Sequence, residues 1–458
     1  MKYESQKIAY KYFLFATLLF GLQIAFGLIT GAKYVWNTDP LIHILPFNTA
    51  RAIHINLLVV WLLMGFMGGA YYLVPEEAET EIHSPWLANF QLYLFAAIGV
   101  AAIAGYIAGL SWGMPFLEQP TILKIGIVVV ALLFLYNIFM TMMKTKKWTT
   151  IQGVLLGGLV LLAVMFLFGI FFMKNLATQY YFWWWVIHLW VEGAWELVTA
   201  AIMAFILLKL TGVDRERIEK WLYIEVGLVL FTGIAGIGHH YYWIGTPNYW
   251  LWVGGAFSAL EPLPILLMVA DTMKDVRDRK AEITNRIALY WAVGCAVMHF
   301  FGAGVWGFAQ TLPQINRWTH GTQVTASHGH FAFFGAYAML NLTLIYFALP
   351  QIKRLKSFNQ RLGFKAFWTM NFFMLMMAFS LAVAGVVQVY FQRVMGMDYL
   401  AAQGYMRLWY AAFGISGLGF AAGGLMYVAD FFRLGSERTV PAKSSEAEDA
   451  GVGLITSP

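Results

Sequence analysis

Residues 181 to 196 read YFWWWVIHLWVEGAWE, and inside this apolar and aromatic run His188, Glu192 and Glu196 recur every four residues. On a straight α-helix that spacing puts all three side chains on one face. An imidazole and a carboxylate at i and i+4 can share a metal ion. The run continues apolar to residue 210, long enough to cross a bilayer. An ionisable group inside a membrane helix is a functional hypothesis by default, because each one needs a polar partner or a metal.

The elements that must position such a stripe follow from composition. The chain has 458 residues, of which 60% are hydrophobic and 12% charged. A soluble domain carries about 25% charged residues, so the expectation is an all-α, polytopic membrane protein. Twelve apolar stretches reach spanning length, at 9–32, 49–74, 86–109, 121–143, 150–173, 181–210, 218–243, 250–274, 283–311, 320–349, 364–392 and 403–433. They form one transmembrane domain over 1–434, followed by a polar tail over 435–458 that reads as disordered. No cleavable signal peptide is visible at the start.

With the N-terminus cytoplasmic, 23 of the 30 Lys and Arg fall on the cytoplasmic side. This predicts that both termini are cytoplasmic. The acidic loop 75–83 carries little weight in that rule. The single cysteine, Cys295, excludes a disulfide framework, an iron–sulfur cluster and a c-type haem. The net charge of +6 reports topology rather than nucleic-acid binding.

Depth sorts the ten histidines. His54 lies near the outer end of the second stretch, His188 two turns into the sixth, and His239 and His240 at the outer end of the seventh. Glu261 lies about three turns down the eighth, and His328 and His330 two to three turns down the tenth. Five helices thus deliver histidines or carboxylates to one layer in the outer half of the membrane. Residues two apart on a helix point about 200° apart, so His328 and His330 cannot easily bind one metal and can serve two groups flanking one helix. His188 and Glu192 can share a metal that His239 and His240 complete.

Simpler readings compete. His299 reads as a packing residue without a role, and His43, His83 and His320 as loop or helix-end residues. Trp183, Trp184 and Trp185 read as an interfacial aromatic belt. Glu261 just before Pro262 can satisfy a bent helix.

The segments 46–77, FLEQP (116–120), WWWVIHLWVEGAWEL, GIGHHYYWIG, FSALEPLP and THGTQVTASHGH together resemble the haem–copper oxidase superfamily. Within it they are similar to the catalytic subunits of cytochrome-c-dependent nitric oxide reductases. The resemblance spans essentially the whole chain. It implies His54 and His330 as axial ligands of a low-spin haem b, and His328 as the proximal ligand of a high-spin haem b3. It implies a non-haem iron held by His188, His239, His240 and Glu192, with Glu196 and Glu261 as nearby acids for proton delivery. Glu118 in FLEQP would help bind a calcium ion near the haem propionates, and Arg51 is placed to pair with those propionates. In oxygen-reducing members the residue four after the sixth-helix histidine is usually tyrosine; here it is Glu192. Three imidazoles plus a carboxylate suit iron, although Cu(II) also accepts nitrogen and oxygen ligands.

The resemblance further implies a bacterial inner-membrane enzyme that reduces two NO to N2O and water. Electrons would reach haem b through a membrane-anchored cytochrome c subunit on the outer face, fed by a soluble donor. The aromatic surfaces at Trp183–Trp185 and Tyr241–Trp243 suit that interface. No polar channel stands out in the inner halves of the helices, so protons are expected from the outer face without pumping. The rival readings are an oxygen reductase with copper in the second site, a proton-coupled transporter, and a gas sensor without turnover.

Overall fold

A chain segment in hydrocarbon has no water to satisfy its peptide groups, so each apolar stretch must close its own hydrogen bonds as a helix. The computed structural model describes residues 2–35, 45–112, 114–260 and 262–434. Among them are twelve helices long and apolar enough to cross a membrane, and no strand. We number them α1 (Glu4–Val35), α2 (Phe47–Ala78), α3 (Pro85–Ile107), α4 (Thr121–Met142), α5 (Thr150–Phe168) and α6 (Leu176–Thr211). They continue as α7 (Arg215–His240), α8 (Asn248–Asp278), α9 (Arg286–Thr311), α10 (Gln323–Ile352), α11 (Arg361–Val394) and α12 (Tyr399–Arg433). Every limit read from the sequence falls within five residues of these. The predicted tail and His43 lie outside the described residues.

Burial singles out three helices. The most apolar windows of α2, α6 and α10 are 83%, 83% and 89% buried, against 28% for α1 and α3. These three occupy the centre, and they carry His54, the His188–Glu192–Glu196 run, and the His328–His330 pair. The helices richest in chemistry are therefore the ones surrounded by others.

Several helices are not regular. In α6, Leu189–Trp195 is a π-helical turn, as are Phe300–Val305 in α9 and Phe334–Ala338 in α10. Such insertions are rare and concentrate at functional sites. The helix α8 consists of two α-helical pieces, Asn248–Ser258 and Leu263–Asp278.

At the end of the bundle that holds the N-terminus, the acidic loop has structural work. Glu77 receives two Arg215 hydrogen bonds at 3.0 Å, and Glu76 pairs with Lys209 at 3.2 Å. Glu81 accepts the backbone N–H groups of Glu4 and Ser5, both at 2.9 Å. Burial pushes the Glu81 carboxyl up, but the Ser5 hydroxyl and those two amides outweigh it and hold it below its ordinary value. Arg217 lies 3.7 Å from Asp271 and 3.6 Å from Asp275.

Candidate metal centre and its surroundings

One group among the described residues can converge on a metal ion. His188, Glu192, His239 and His240 each offer one ligand atom, all within 4.8 Å of one another. Glu192 lies 3.3 Å from His188 Nδ1, 3.5 Å from His239 Nε2 and 3.1 Å from His240 Nε2. His239 Nε2 and His240 Nε2 are 2.9 Å apart. Ligands about 2.0–2.1 Å from one ion stand about 3.0 Å apart at right angles and about 3.4 Å apart in a tetrahedron. The four spacings of 2.9–3.5 Å match those values, so the cluster is close to the geometry one first-row metal requires.

The backs of these rings fix which nitrogen is free. A carbonyl oxygen only accepts, so a ring nitrogen facing one must carry the hydrogen. His188 donates from Nε2 to the Gly233 carbonyl of α7 at 2.8 Å, which turns its Nδ1 lone pair toward Glu192. Nδ1 of that ring has no other protein partner. His239 Nδ1 meets the Ser258 hydroxyl at 2.6 Å, and Ser258 in turn donates to the Gly254 carbonyl. His240 is stacked on Trp184, with ring centres 4.3 Å apart and planes 13° apart.

That stack corrects the belt reading. Trp184 braces a site histidine, and Trp183 is buried and donates to the Pro115 carbonyl at 3.1 Å. Tyr242 is also buried, donating to the Thr311 carbonyl at 2.7 Å. Of the six aromatics expected at an interface, Trp243 is the one that is prominently exposed, at 62%.

The other three histidines of the layer divide in two directions. His54 and His330 face each other with ring centres 6.4 Å apart and planes 28° apart. Two imidazoles on opposite sides of one iron, each with its nitrogen about 2.0–2.1 Å away, place their ring centres about 6.3 Å apart. His54 donates from Nδ1 to the Gln23 carbonyl of α1 at 2.9 Å. His330 donates from Nδ1 to the Ala326 carbonyl at 2.8 Å. His328 instead leans on α9, giving Nδ1–H to the Gly302 carbonyl at 3.0 Å, within electrostatic reach of Glu192 and His239. Glycine is required beside both directions. A Cβ on Gly27 would come within 2.8 Å of His54 Cε1, and one on Gly307 within 2.8 Å of His328 Cε1. The residues present therefore fit a bis-imidazole iron on one side of α10 and a singly ligated one on the other.

Glu196 does not join the metal cluster. The π-helical turn that ends at Trp195 breaks the straight stripe, and Glu196 turns to different neighbours. It accepts from the Tyr337 hydroxyl at 2.8 Å and lies 3.3 Å from His299 Nε2. His299, read from the sequence as packing, is thus a partner of Glu196. All three residues adjoin or lie within the π-helical turns of α6, α9 and α10. Sequence reasoning also passed over Glu225, buried in α7 with neither carboxylate oxygen partnered. The rule that singled out Glu192 applied equally to Glu225 and His299, each an ionisable group inside a span.

Glu118 is buried and accepts from Asn56 Nδ2 at 3.0 Å. Burial pushes its carboxyl up, and the Asn56 amide and Arg51 charge hold it back. Arg51 is exposed at the start of α2, within electrostatic reach of Glu118 and His54. His83 packs its ring on Tyr136 with centres 5.7 Å apart, and His320 sits beside Trp243 at 6.5 Å. Burial pushes the His320 imidazole down, away from any role as a cation. Glu261 lies outside the described residues.

A profile of the family described as Cytochrome C and Quinol oxidase polypeptide I matches residues 7–419. The chain belongs to this family. Its helical fold is that of a haem–copper oxidase scaffold, and it is a multi-pass membrane protein. A nitric oxide reductase subunit of Stutzerimonas stutzeri is 47% identical over 469 residues, covering 98% of each chain.

Proposed function

We propose that this oxidoreductase reduces two nitric oxide molecules to nitrous oxide and water. The observation that carries the reading is Glu192, a carboxylate directed at the point where His188, His239 and His240 converge. A hard oxygen donor added to three imidazoles favours iron in that position. The full-length relative named as part of a nitric oxide reductase supports the same substrate.

In this reading His188, His239, His240 and Glu192 hold a non-haem iron. His54 and His330 hold the electron-transferring haem b, and His328 holds haem b3 on the side of α10 that faces the cluster. When bound, the two irons of the site supply Lewis acidity and electrons to the substrate. The chain's own residues do the rest. The cluster histidines and Glu192 set where the reacting molecules lie, which lowers the entropy cost of bringing two of them together. Glu196 holds a proton position beside the site, with Tyr337 donating to one of its oxygens and His299 next to the same oxygen. Glu261 serves as a further acid. Glu118 would contribute one carboxylate to a calcium ion, a hard cation that prefers oxygen ligands.

Electrons arrive through a membrane-anchored cytochrome c subunit on the outer face, charged by a soluble donor. The orientation places both termini on the cytoplasmic side of a bacterial inner membrane, with protons entering from outside. The competing reading is an oxygen reductase with copper at the cluster. Metal analysis of the purified protein with turnover on NO and on O2 separates the two. We expect about one non-haem iron per chain and faster turnover on NO. Stoichiometric copper with faster O2 turnover overturns the proposal.

A further inference from the structure

Glu225 stands apart from every residue used so far. It is 1% exposed, and neither carboxylate oxygen has a hydrogen-bond partner. It lies ten residues into α7, about 15 Å from the start of that helix at 1.5 Å per residue. The buried face of α7 is a continuous stripe, Ile218, Leu222, Glu225, Val229, Thr232, Gly233 and Gly236. Gly233 on that stripe receives the His188 hydrogen bond and abuts Gly193 of α6. The stripe therefore faces α6, and Glu225 lies on it about 12 Å from Gly233, toward the N-terminal end of the bundle.

Between these two levels α6 presents Glu196, about 4.5 Å past Gly193, and Thr199, about 9 Å past it. Glu196 Oε2 and Thr199 Oγ1 are buried without partners, as is Nδ1 of His299. Unpartnered buried polar atoms are few in native proteins and call for a functional explanation. Here four side chains from three helices leave such atoms between the metal cluster and the level of Glu225. Of the elements packed against α7, α6 carries His188, Glu192, Glu196 and Lys209, the described part of α8 carries Asp271, Lys274, Asp275, Arg277 and Asp278, and α5 carries no charged residue. The helix α7 itself carries Arg215, Glu216, Arg217, Glu219 and Lys220 at one end and His239 and His240 at the other. Glu196 is the one whose charge acts on Glu225.

We propose that Glu225 is a proton store for the site, a neutral carboxylic acid that exchanges its proton with Glu196 across the unpartnered polar layer beneath the metal cluster. An ionised carboxylate here would have no partner to offset its lost hydration, so the resting group keeps its O–H. When turnover withdraws a proton from Glu196, the Glu225 O–H bond breaks and a Glu196 O–H bond forms. The negative charge moves to Glu225 until Glu196 is refilled and returns the proton. No electron moves and no other reactant is needed. The store is closed toward the N-terminal end. Leu222 and Ile218 continue the α7 stripe, and residues 200–207 of α6 are all apolar. Glu225 thus buffers the site rather than opening an inlet.

The reading rests on a proton-consuming reaction at the cluster, which NO and O2 reduction both supply. Its failure is therefore separable from failure of the NO assignment. The test compares the haem-loaded enzyme with E225Q and E225D, by infrared difference spectroscopy on reduction in H2O and D2O. We expect a deuterium-sensitive carboxylic-acid carbonyl band in the parent, absent in E225Q and shifted in E225D. Turnover of E225Q should fall several-fold on the alkaline side of the pH profile and match the parent at acid pH, with E225D restoring most of it. A parent-like pH profile with every carboxylic-acid band retained in E225Q overturns the proposal. So does an equal loss at all pH values accompanied by loss of haem, since that is a packing role. If E225Q does not assemble, E225D decides alone. A shifted band with a parent-like profile supports the store, and an unshifted one overturns it.

Discussion

Two adjoining layers of the same bundle treat polar atoms in opposite ways. In the upper layer Glu192 lies within 3.5 Å of a ring nitrogen from each of three histidines, and two of those rings are anchored from behind, by Gly233 and by Ser258. In the layer beneath, Glu196 has one oxygen shared between Tyr337 and His299 and the other free, and Glu225 has both free. A fixed set of converging lone pairs suits an ion that must stay. Atoms with partners on one side only suit a proton that must move. The helix α6 serves both layers because its π-helical turn separates Glu192 from Glu196.

The contrast is broken most severely at the upper layer. Glu192→Ala should abolish NO reduction, by a hundredfold or more, while haem content stays near the parent level. Iron per haem and turnover measure this; full turnover with iron lost would remove the cluster from the chemistry. For scale, disturbing only the groups behind metal ligands costs about 10–100-fold. Next in size, His54→Ala should erase the low-spin bis-imidazole signal in the absorption spectrum and leave the non-haem iron in place. An unchanged spectrum would separate His54 from any haem.

The lower layer should respond more mildly. Tyr337→Phe removes the donor to Glu196 and leaves a buried acceptor short of one hydrogen bond, a loss of about 1–3 kcal/mol. The expected readout is a reduced turnover with both haem and iron retained; loss of iron would merge the two layers into one. Smaller again is Arg215→Ala at the N-terminal end. The Arg215 side chain is 42% exposed, so after screening by solvent its pair with Glu77 contributes about 1 kcal/mol or less, seen as a slight fall in thermal midpoint. The least effect belongs to Glu81. Its carboxyl is held below the ordinary 4.5 in the folded chain. The stability this adds is present above pH 4.5 and fades as pH falls through the folded value. Parent and Glu81→Gln should therefore differ slightly at neutral pH and converge in acid, as read from thermal unfolding across pH.

Much of this was legible in the residues themselves. Spanning length and charge bias follow from the solvent, because hydrocarbon admits only closed helices. The divergence of His328 and His330 follows from the 100° step of an α-helix. Glu192 was legible as a partner of His188 because four residues make one turn. Glu196 was not, because a regular helix predicts the same face for it, and the π-helical turn sits where α6 packs against α5 and α7. Trp183 and Trp184 misled for a related reason. An aromatic run at a helix end matches a membrane interface, and only tertiary contact shows Trp184 stacked on His240. His299 and Glu225 needed a partner across helices to acquire meaning, and one sequence does not display that partner.

The way the rings are anchored bears on how the site can vary. His54, His188, His328 and His330 rest on the carbonyls of Gln23, Gly233, Gly302 and Ala326. Every residue type brings a carbonyl, so no single codon change deletes these acceptors. The tautomers of these four rings are insulated from point mutation as long as the helices keep their register. His239 is the exception, since its support is the Ser258 hydroxyl. Drift in ligand basicity within this scaffold should therefore enter through Ser258 first, making it the residue through which a lineage can retune the metal while leaving every ligand unchanged.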